Sequence, residues 1–321
     1  MGSRKLLLRG AFIVFILMLT ILSSQHTEAQ TSAAPGPSLT LVWATKFEGD
    51  AVLVTPGDIG VDQWGNIFVS TQGNNSVKKF DAQGNFVMQW GDGGKEPGNF
   101  SLSLGVAVDA DNNVYVSDFY NKRIQKFDDK GKFLLQWPNE TSTSPAFLGA
   151  DAQGNVYADE FPPADKHYLE KFDVHGRLVG EWGNESGITG SRIEDIAVDK
   201  DGNIFVADPI GHRVQKLDTN GKLVATWGGK ASMDGNGLFF DPFGIAVDTD
   251  GNVYVLDSNF LQKLDSTGKF IAQWSTHGGD LDKASNVMVD KAGDIYLFAK
   301  TDVTTDSGTI KVFVLKKFQQ S

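Results

Sequence analysis

Three side chains with oxygen ligands, Asp58, Asp195 and Asn286, stand at corresponding places in a pattern that recurs along this chain of 321 residues. Each of them opens a short run of β-branched and small apolar residues. Carboxylate and amide oxygens are the ligands that a hard cation such as calcium prefers. If the fold brings the three positions to one opening, they predict a calcium-type site there. The alternative is a polar rim that binds nothing specific, and no other feature requires a cofactor.

Further candidate ligand-binding residues lie in segments whose content differs from one repeat to the next. Variable loops on a fixed scaffold are where binding specificity usually resides. Aromatic residues such as Phe119 and Tyr120 suit a recognition surface, and ordinary loop packing is the alternative. The candidates are Asp118, Phe119, Tyr120, Glu160, Phe161, His167, Asp208, His212, Asp257 and Asn259.

The familiar catalytic sets are incomplete in this sequence. It contains no cysteine and only five histidines, of which His26 lies close to the N-terminus. A Gly-x-Ser-x-Gly elbow and a glycine-rich phosphate loop are both lacking. Asp199-x-Asp201 imitates the start of a calcium-binding loop, but the twelfth position is Ile210 instead of glutamate. We therefore interpret the aspartate-rich segments as hairpin turns.

The elements that must position these residues follow from a repeat marked by tryptophan. Six tryptophans follow one another at intervals of 45 to 47 residues, at positions 43, 90, 137, 182, 227 and 274. A self-similar period of this length is typical of a propeller, a solenoid or an array. Each unit holds four short runs rich in Val, Ile, Phe and Tyr, separated by Gly, Asn and Asp turns. Such runs predict antiparallel strands joined by hairpins.

The repeat count and the two chain ends predict a closed ring. An aspartate ends the first run of six units, at positions 62, 109, 151, 199, 248 and 290. The sixth unit has an insertion at Thr301–Gly308 and a third strand near Val312–Phe318, but no fourth strand. Leu39–Trp43 matches the missing strand, and pairing there would remove the exposed edges of a linear array. The prediction is an all-β, six-bladed β-propeller of four-stranded antiparallel blades, closed by the N-terminal strand.

The runs Gly244–Asp248, Val206–Asp208 and His212–Asp218 resemble the NHL-repeat family of six-bladed propellers, and the likeness extends over residues 39–318. The resemblance implies the fold but no single activity, because such propellers include sensors, scaffolds, RNA binders and enzymes. Amidating lyases and streptogramin-lyase-like propellers use histidines, which the matching inner-strand positions here lack. Lactonase-type propellers hold a divalent metal with Glu, Asn and Asp, and this chain lacks their full set. The positions here that match the histidines of the amidating lyases are Gly57, Leu104, Ala146, Glu194, Phe243 and Ser285.

The N-terminus has the pattern of a secretory signal. A basic segment precedes the apolar run Ala11–Leu22, and Thr27–Ala29 fits a cleavage site, so we expect a signal peptide at 1–29, a linker at 30–38 and one propeller domain at 39–318. An uncleaved membrane anchor is the alternative. The expected location is secreted, cell-surface or periplasmic. Candidate glycosylation sites are Asn74, Asn99, Asn139 and Asn184.

These observations favour an exported, non-catalytic binding or scaffold protein that recognises a protein, peptide or glycan through its loops. A metal-assisted hydrolase or lyase at the channel mouth is the alternative, and we lean against an enzyme. The net charge of −11 opposes binding to nucleic acid. We expect a monomer that contacts a membrane only through an uncleaved N-terminal segment.

Overall fold

The computed structural model describes residues 38–46, 56–138, 144–161, 168–183, 193–229, 236–305 and 308–320, without the side chains of 46, 161, 300–305 and 308–311. The chain from Gly36 to Ser321 forms one compact unit. The expected signal peptide, His167, Asn139 and Asn184 lie outside the described residues. Among the described residues, no helix is long and apolar enough to cross a membrane.

The described chain forms six four-stranded antiparallel sheets, which we number as blades in chain order. Blade one contains β2 (Pro56–Val61), β3 (Ile67–Thr71), β4 (Ser76–Phe80) and β5 (Phe86–Trp90); blade two contains β6 (Ser103–Val108), β7 (Val114–Asp118), β8 (Arg123–Phe127) and β9 (Phe133–Pro138). Blade three contains β10 (Ser144–Ala150), β11 (Val156–Phe161), β12 (Tyr168–Phe172) and β13 (Leu178–Trp182); blade four contains β14 (Asp195–Val198), β15 (Ile204–Asp208), β16 (Arg213–Leu217) and β17 (Leu223–Gly228). Blade five contains β18 (Gly244–Val247), β19 (Val253–Leu256), β20 (Phe260–Leu264) and β21 (Phe270–Ser275); blade six contains β22 (Ala284–Val289), β23 (Ile295–Thr305), β24 (Gly308–Gln320) and β1 (Leu39–Lys46).

The blades close into a ring. The first strands of successive blades contact one another in the order β2, β6, β10, β14, β18 and β22, and β22 contacts β2. β1 pairs antiparallel with β24, with Leu39 opposite Gln320 and Lys46 opposite Val314. The predicted six-bladed fold and its closure by the N-terminal strand are confirmed. We call the end of the ring where the first strands begin the upper face, and the opposite end the lower face.

The tryptophans join each blade to the next. In five junctions the indole lies against the glycine of the turn between the third and fourth strands of the following blade. A Cβ atom on Gly131 would lie only 2.8 Å from Trp90 Cδ2, and the φ of this glycine is +72°. Glycine is therefore required by both the contact and the backbone. The pairs are Trp43–Gly84, Trp90–Gly131, Trp137–Gly176, Trp182–Gly221 and Trp227–Gly268.

The aspartates that end the first strands organise the lower-face turns. Asp109 Oδ1 accepts the backbone N–H groups of Asp111 and Asn113, and its Oδ2 accepts the Asn113 side-chain amide at 2.7 Å. The same contacts recur at Asp199, where the sequence imitates a calcium loop. Because the turn engages both carboxylate oxygens, these aspartates serve the hairpin, as the sequence indicated.

Blade six corrects one expectation. The segment Thr301–Gly308 was expected to be an inserted loop, but most of it extends the strands β23 and β24. Val303 pairs with Ile310 and Thr305 with Gly308, so the β-branched residues continue the ladder beyond the blade. The result is a two-stranded ribbon that extends from the upper face.

Candidate functional site

Asp58 lies at the upper end of the first strand of blade one, where it links three blades. Its Oδ1 accepts the N–H of Ile59 at 2.8 Å and the side-chain amide of Asn286, from blade six, at 2.9 Å. Its Oδ2 accepts the N–H of Val106, from blade two, at 3.1 Å. The carboxylate thus satisfies donors on both neighbouring blades, and its position depends on closure of the ring.

Asp195 repeats this arrangement in blade four. Its Oδ1 accepts the N–H of Ile196 and its Oδ2 accepts the N–H of Ile245 from blade five, both at 2.8 Å. Blades one and four are three positions apart in a ring of six, so Asp58 and Asp195 lie on opposite sides of the central channel. The ring thus carries two carboxylates related by an approximate twofold axis.

Asn286 completes the set predicted from the sequence. Its side chain is only 7% exposed, and its Nδ2 donates to Asp58 Oδ1. That bond fixes the orientation of the amide, because a flipped amide would place two acceptors together. Its Oδ1 is then buried without a hydrogen-bond partner. The structure therefore brings Asn286 and Asp58 into contact and places Asp195 across the channel.

Burial shifts both carboxyl groups towards the protonated form, and repulsion by Asp58 adds to the shift of Asp195. Asp58 and Asp195 are each 5% exposed. Desolvation raises the pKa of Asp58 to about 6, against the hydrogen bonds from Val106, Ile59 and Asn286 that lower it. Desolvation also raises the pKa of Asp195 well above its ordinary value, with a further contribution from the charge of Asp58. The pair is therefore an electrostatically unfavourable place for two full negative charges.

The two carboxylates border a central cavity of about 180 Å³. All six blades contribute walls of small or branched apolar side chains, and no lysine, arginine or histidine lines the cavity in the described structure. Representative lining residues, one from each blade, are Val61, Val106, Leu148, Ile196, Ile245 and Val287. Apart from the two aspartates, the lining side chains are thus apolar, although most of the exposed surface of the cavity is polar.

The upper-face loop of blade two is held rigidly. Asp118 is fully buried and bonds Arg123 Nε at 2.7 Å, the N–H of Ser101 and the amide of Asn121. Phe119 and Tyr120 form a short 3-10 turn above this cluster, with their rings 5.3 Å apart at a steep angle. Tyr120 is 68% exposed. Asp118 therefore supports the loop from within, and Tyr120 presents its ring to solvent.

The corresponding upper-face loop of blade four is held in the same way. Buried Asp208 bonds Arg213 Nε at 2.7 Å and the N–H of Gly211 at 2.8 Å. His212 adopts a φ of +53°, and its Nδ1 contacts the carbonyl oxygen of Phe240. This contact joins the loop to the connection that leads into blade five. The loop tip at Ile210 is 58% exposed, and Phe240 is 48% exposed.

The remaining candidates occupy different environments. Asp257 is buried and accepts the N–H groups of Asn259 and Phe260, and Asn259 is half-buried. Glu160 is fully buried in β11, so it is not exposed for direct contact with a partner. Phe161 ends β11, and its side chain is not described.

Two of the candidate glycosylation sites lie in the described structure. Asn74 and Asn99 are half-buried on the upper face. The Asn99 carbonyl accepts bonds from Arg123 and Gln125 and so belongs to the supporting network of blade two. Glycosylation at these two sites stays a prediction.

Sequence reasoning missed Leu238 and Phe240, which are both exposed, and Phe240 contacts His212. Both lie in the connection between blades four and five. This connection parallels the one between blades one and two, because Phe239 packs on Gly228 as Phe100 packs on Gly91. A tryptophan-glycine pair followed nine or eleven residues later by phenylalanine was the signal that would have shown an ordered connection with exposed neighbours.

Comparisons with known proteins agree with this architecture. Residues 104–127 match the model of the NHL repeat. A streptogramin B lyase is 13% identical, with a TM-score of 0.61 over 87% of this chain and 98% of its own. A virginiamycin B lyase from Staphylococcus aureus is 12% identical, with a TM-score of 0.59 over 88% of this chain and 99% of its own. A gluconolactonase from Xanthomonas campestris is 15% identical, with a TM-score of 0.60 over 88% and 95%, respectively.

At these identities, likeness to solved structures shows the fold alone, since one propeller fold supports many activities. No curated protein matches the chain in sequence. The family model covers β7 and β8 with most of β6, in the blade that contains Tyr120. The chain is a six-bladed β-propeller that carries an NHL repeat in its second blade.

Proposed function

We propose that this propeller is an exported, non-catalytic binding protein that recognises a protein, peptide or glycan partner through its upper face. The observation that carries the proposal is a set of exposed apolar side chains on loops locked from below: Tyr120, Ile210 and Phe240. Monomeric proteins expose single apolar residues routinely, but these three lie on ordered segments. Tyr120 and Ile210 lie on loops held by the pairs Asp118–Arg123 and Asp208–Arg213, and Phe240 lies in the connection that contacts the second of these loops through His212. The N-terminal pattern supports export.

Rigid loops favour binding for an energetic reason. A flexible loop loses conformational entropy when it binds, at a cost of about 0.5–1.5 kcal/mol for each side chain that becomes immobilised. The pairs of buried Asp118 with Arg123 and of buried Asp208 with half-buried Arg213 already hold the two loops in the free protein. Tyrosine and phenylalanine then offer large contact areas with few rotatable bonds.

To test this proposal, the purified ectodomain, residues 38–321, is used to select ligands from a displayed random-peptide library and from a glycan array. Ligands selected on the unaltered protein are then measured on Tyr120→Ala and Phe240→Ser. Trp64→Ser is the matched control, because Trp64 is 60% exposed in a lower-face turn. We expect at least tenfold weaker binding for the upper-face variants and no change for Trp64→Ser. Ligands that depend on Trp64 alone would refute the proposal.

A second candidate function is metal-assisted hydrolysis or elimination at Asp58, Asp195 and Asn286. The observation in its favour is the buried, unpartnered Oδ1 of Asn286 beside the carboxylate of Asp58, with Asp195 across the channel. The fit is incomplete, because calcium takes six to eight oxygens and the carboxylate oxygens already accept backbone N–H groups. Among the described residues, no group of three acidic, histidine or cysteine side chains is placed to hold a metal. Calcium added to a chelated sample would raise the melting temperature if the site binds it, and an unchanged value would exclude this candidate.

A further inference from the structure

The ribbon of blade six has a strand edge that no described strand covers. β23 and β24 pair as far as Thr305 and Gly308, whereas the pairing of β22 with β23 stops at Ala284, opposite Ala299. The segment Lys300–Thr305 therefore continues the edge of the sheet beyond β22 without a partner strand among the described residues. We call the backbone of this segment the inner edge, because it lies on the side of β22, the strand next to the central channel.

The chain that precedes β22 turns away from the inner edge. Lys283 adopts a left-handed φ of +56°, and its N–H donates to the carbonyl oxygen of Thr276 at 3.3 Å. This backbone conformation interrupts strand geometry directly before Ala284. Leu281 in the same connection is buried in the core cluster that blades five and six share. The connection is thus held against the ring and does not continue β22 along the ribbon.

The alternation along β23 identifies the hydrogen-bonding groups at the inner edge. The N–H of Asp290 donates to the carbonyl oxygen of Asp294, so residue 294 directs its backbone groups towards β22. Successive residues of an antiparallel strand direct their N–H and C=O groups to opposite sides, and the pairing of β23 with β24 continues without a register shift. Lys300, Asp302 and Thr304 therefore each direct one N–H donor and one C=O acceptor to the inner edge.

The composition of the ribbon favours a sheet that is larger than two strands. Seven of the twelve residues at 300–305 and 308–313 are Thr, Val or Ile, and none is proline. Such residues favour strands, but a two-stranded ribbon is marginally stable in water without a further strand. An uncovered edge is also a template for pairing with another chain. A third strand would therefore stabilise the ribbon and satisfy its edge.

We propose that the inner edge binds an extended peptide segment of a partner protein, which adds to blade six as a strand antiparallel to β23. The proposal rests on the proposed function and deepens it, because it names a peptide in β conformation as the partner of the upper face. In strand addition, main-chain hydrogen bonds supply affinity, and Lys300, Asp302 and Thr304 offer them here. A glycan lacks the regular series of N–H and C=O groups that this edge matches.

A second copy of the chain fits the inner edge less well. Pairing two inner edges over their full length centres on Asp302 and places it opposite its equivalent in the other copy, and like charges directly opposite are destabilising. The net charge of −11 also opposes self-association. The opposite edge of the ribbon, along β24, adjoins the point where the chain leaves β1 at Lys46, so we assign the partner to the inner edge.

The first test uses two proline variants that are matched across the ribbon. Peptides are selected from a displayed random library on the purified propeller, residues 38–321, and the tightest-binding peptide is synthesised as the probe. Thr304 and Thr309 are paired, and each directs its N–H away from the ribbon, Thr304 to the inner edge and Thr309 to the opposite edge. Proline is tolerated at such edge positions but cannot donate. We expect Thr304→Pro to weaken binding at least tenfold and Thr309→Pro to leave it unchanged, and equal effects would overturn the proposal.

The second test alters the probe and so does not depend on the folding of a variant. The peptide is prepared in two versions that are N-methylated at alternate residues, which removes the N–H donors from one side of the bound strand or from the other. One version should lose affinity at least tenfold and the other should keep it, because only one side of an added strand bonds to β23. Equal affinities of the two versions would contradict strand addition.

Amide hydrogen exchange separates this proposal from the proposed function on which it rests. With the unmethylated peptide bound, the amides of Lys300, Asp302 and Thr304 should exchange more slowly, and that of Thr309 should not change. A peptide that needs Tyr120 but leaves exchange at the inner edge unchanged would overturn strand addition and keep upper-face recognition. A peptide whose binding survives every upper-face variant would overturn both.

Discussion

The junction between blades makes a quantitative prediction for Gly131→Ala. The substitution forces an alanine to a φ of +72° and places its Cβ 2.8 Å from Trp90 Cδ2. The left-handed backbone costs about 1–2 kcal/mol, and overpacking against a large side chain costs about 1–3 kcal/mol. We expect a total loss of about 2–5 kcal/mol in the free energy of unfolding, measured by urea denaturation followed by circular dichroism.

Gly293→Ala is the matched control for this prediction. Gly293 occupies the same position of a hairpin turn, with a φ of +81° and the same backbone bond to the aspartate three residues earlier, but a Cβ atom added to it would meet no atom within 4 Å beyond its chain neighbours. It should lose only the backbone cost of about 1–2 kcal/mol. The double variant Gly131→Ala/Trp90→Leu should lose less stability than the sum of the losses of the two single variants, and the difference is the coupling energy between the two residues. Equal losses for both glycines would refute the view that tryptophan contacts determine the repeat.

The other predictions concern the carboxylates, the loop clamps and the ring closure. Because burial raises the pKa of Asp58 to about 6, its stabilising contribution is present in acid and is lost as the pH rises through about 6. A shift of two units corresponds to about 3 kcal/mol, and Asp58→Asn should flatten the dependence of melting temperature on pH between 4 and 7. The raised pKa of Asp195 acts in the same direction. Arg123→Ala leaves a buried carboxylate unpaired and should cost about 3–5 kcal/mol in denaturation experiments, whereas Arg177→Ala, at an exposed pair, should leave stability unchanged. A chain that starts at residue 47 lacks β1 and should aggregate or unfold in light-scattering and melting experiments, whereas one that starts at residue 38 should behave as the full ring.

Much of the fold follows from local patterns because the same contacts recur in each unit. Each tryptophan of the five junctions needs a glycine in the next blade, so their common period records a contact between neighbouring units. The long ribbon of blade six was not predicted, since Thr301–Gly308 reads as a polar loop. Its strand character comes from pairing across the hairpin, where Val303 meets Ile310.

The candidate site was predictable in part. The repeat aligns Asp58, Asp195 and Asn286, and the ring places them around one channel. The roles of Asp118 and Asp208 were not visible, because their arginine partners determine whether the carboxylates face solvent or the protein interior. The exposed Phe240 was missed because it lies in a connection whose order depends on the buried neighbour Phe239.

The most direct test of the proposed upper-face binding surface is a saturation mutagenesis map of the displayed propeller, residues 38–321, sorted once for correct folding and once for binding of a selected ligand. We predict that substitutions which abolish binding but preserve folding cluster at Tyr120, Ile210, Leu238 and Phe240. Lower-face positions such as Trp64 should tolerate substitution in both sorts. A cluster on the lower face or along the outer strands would contradict the assignment of the recognition surface.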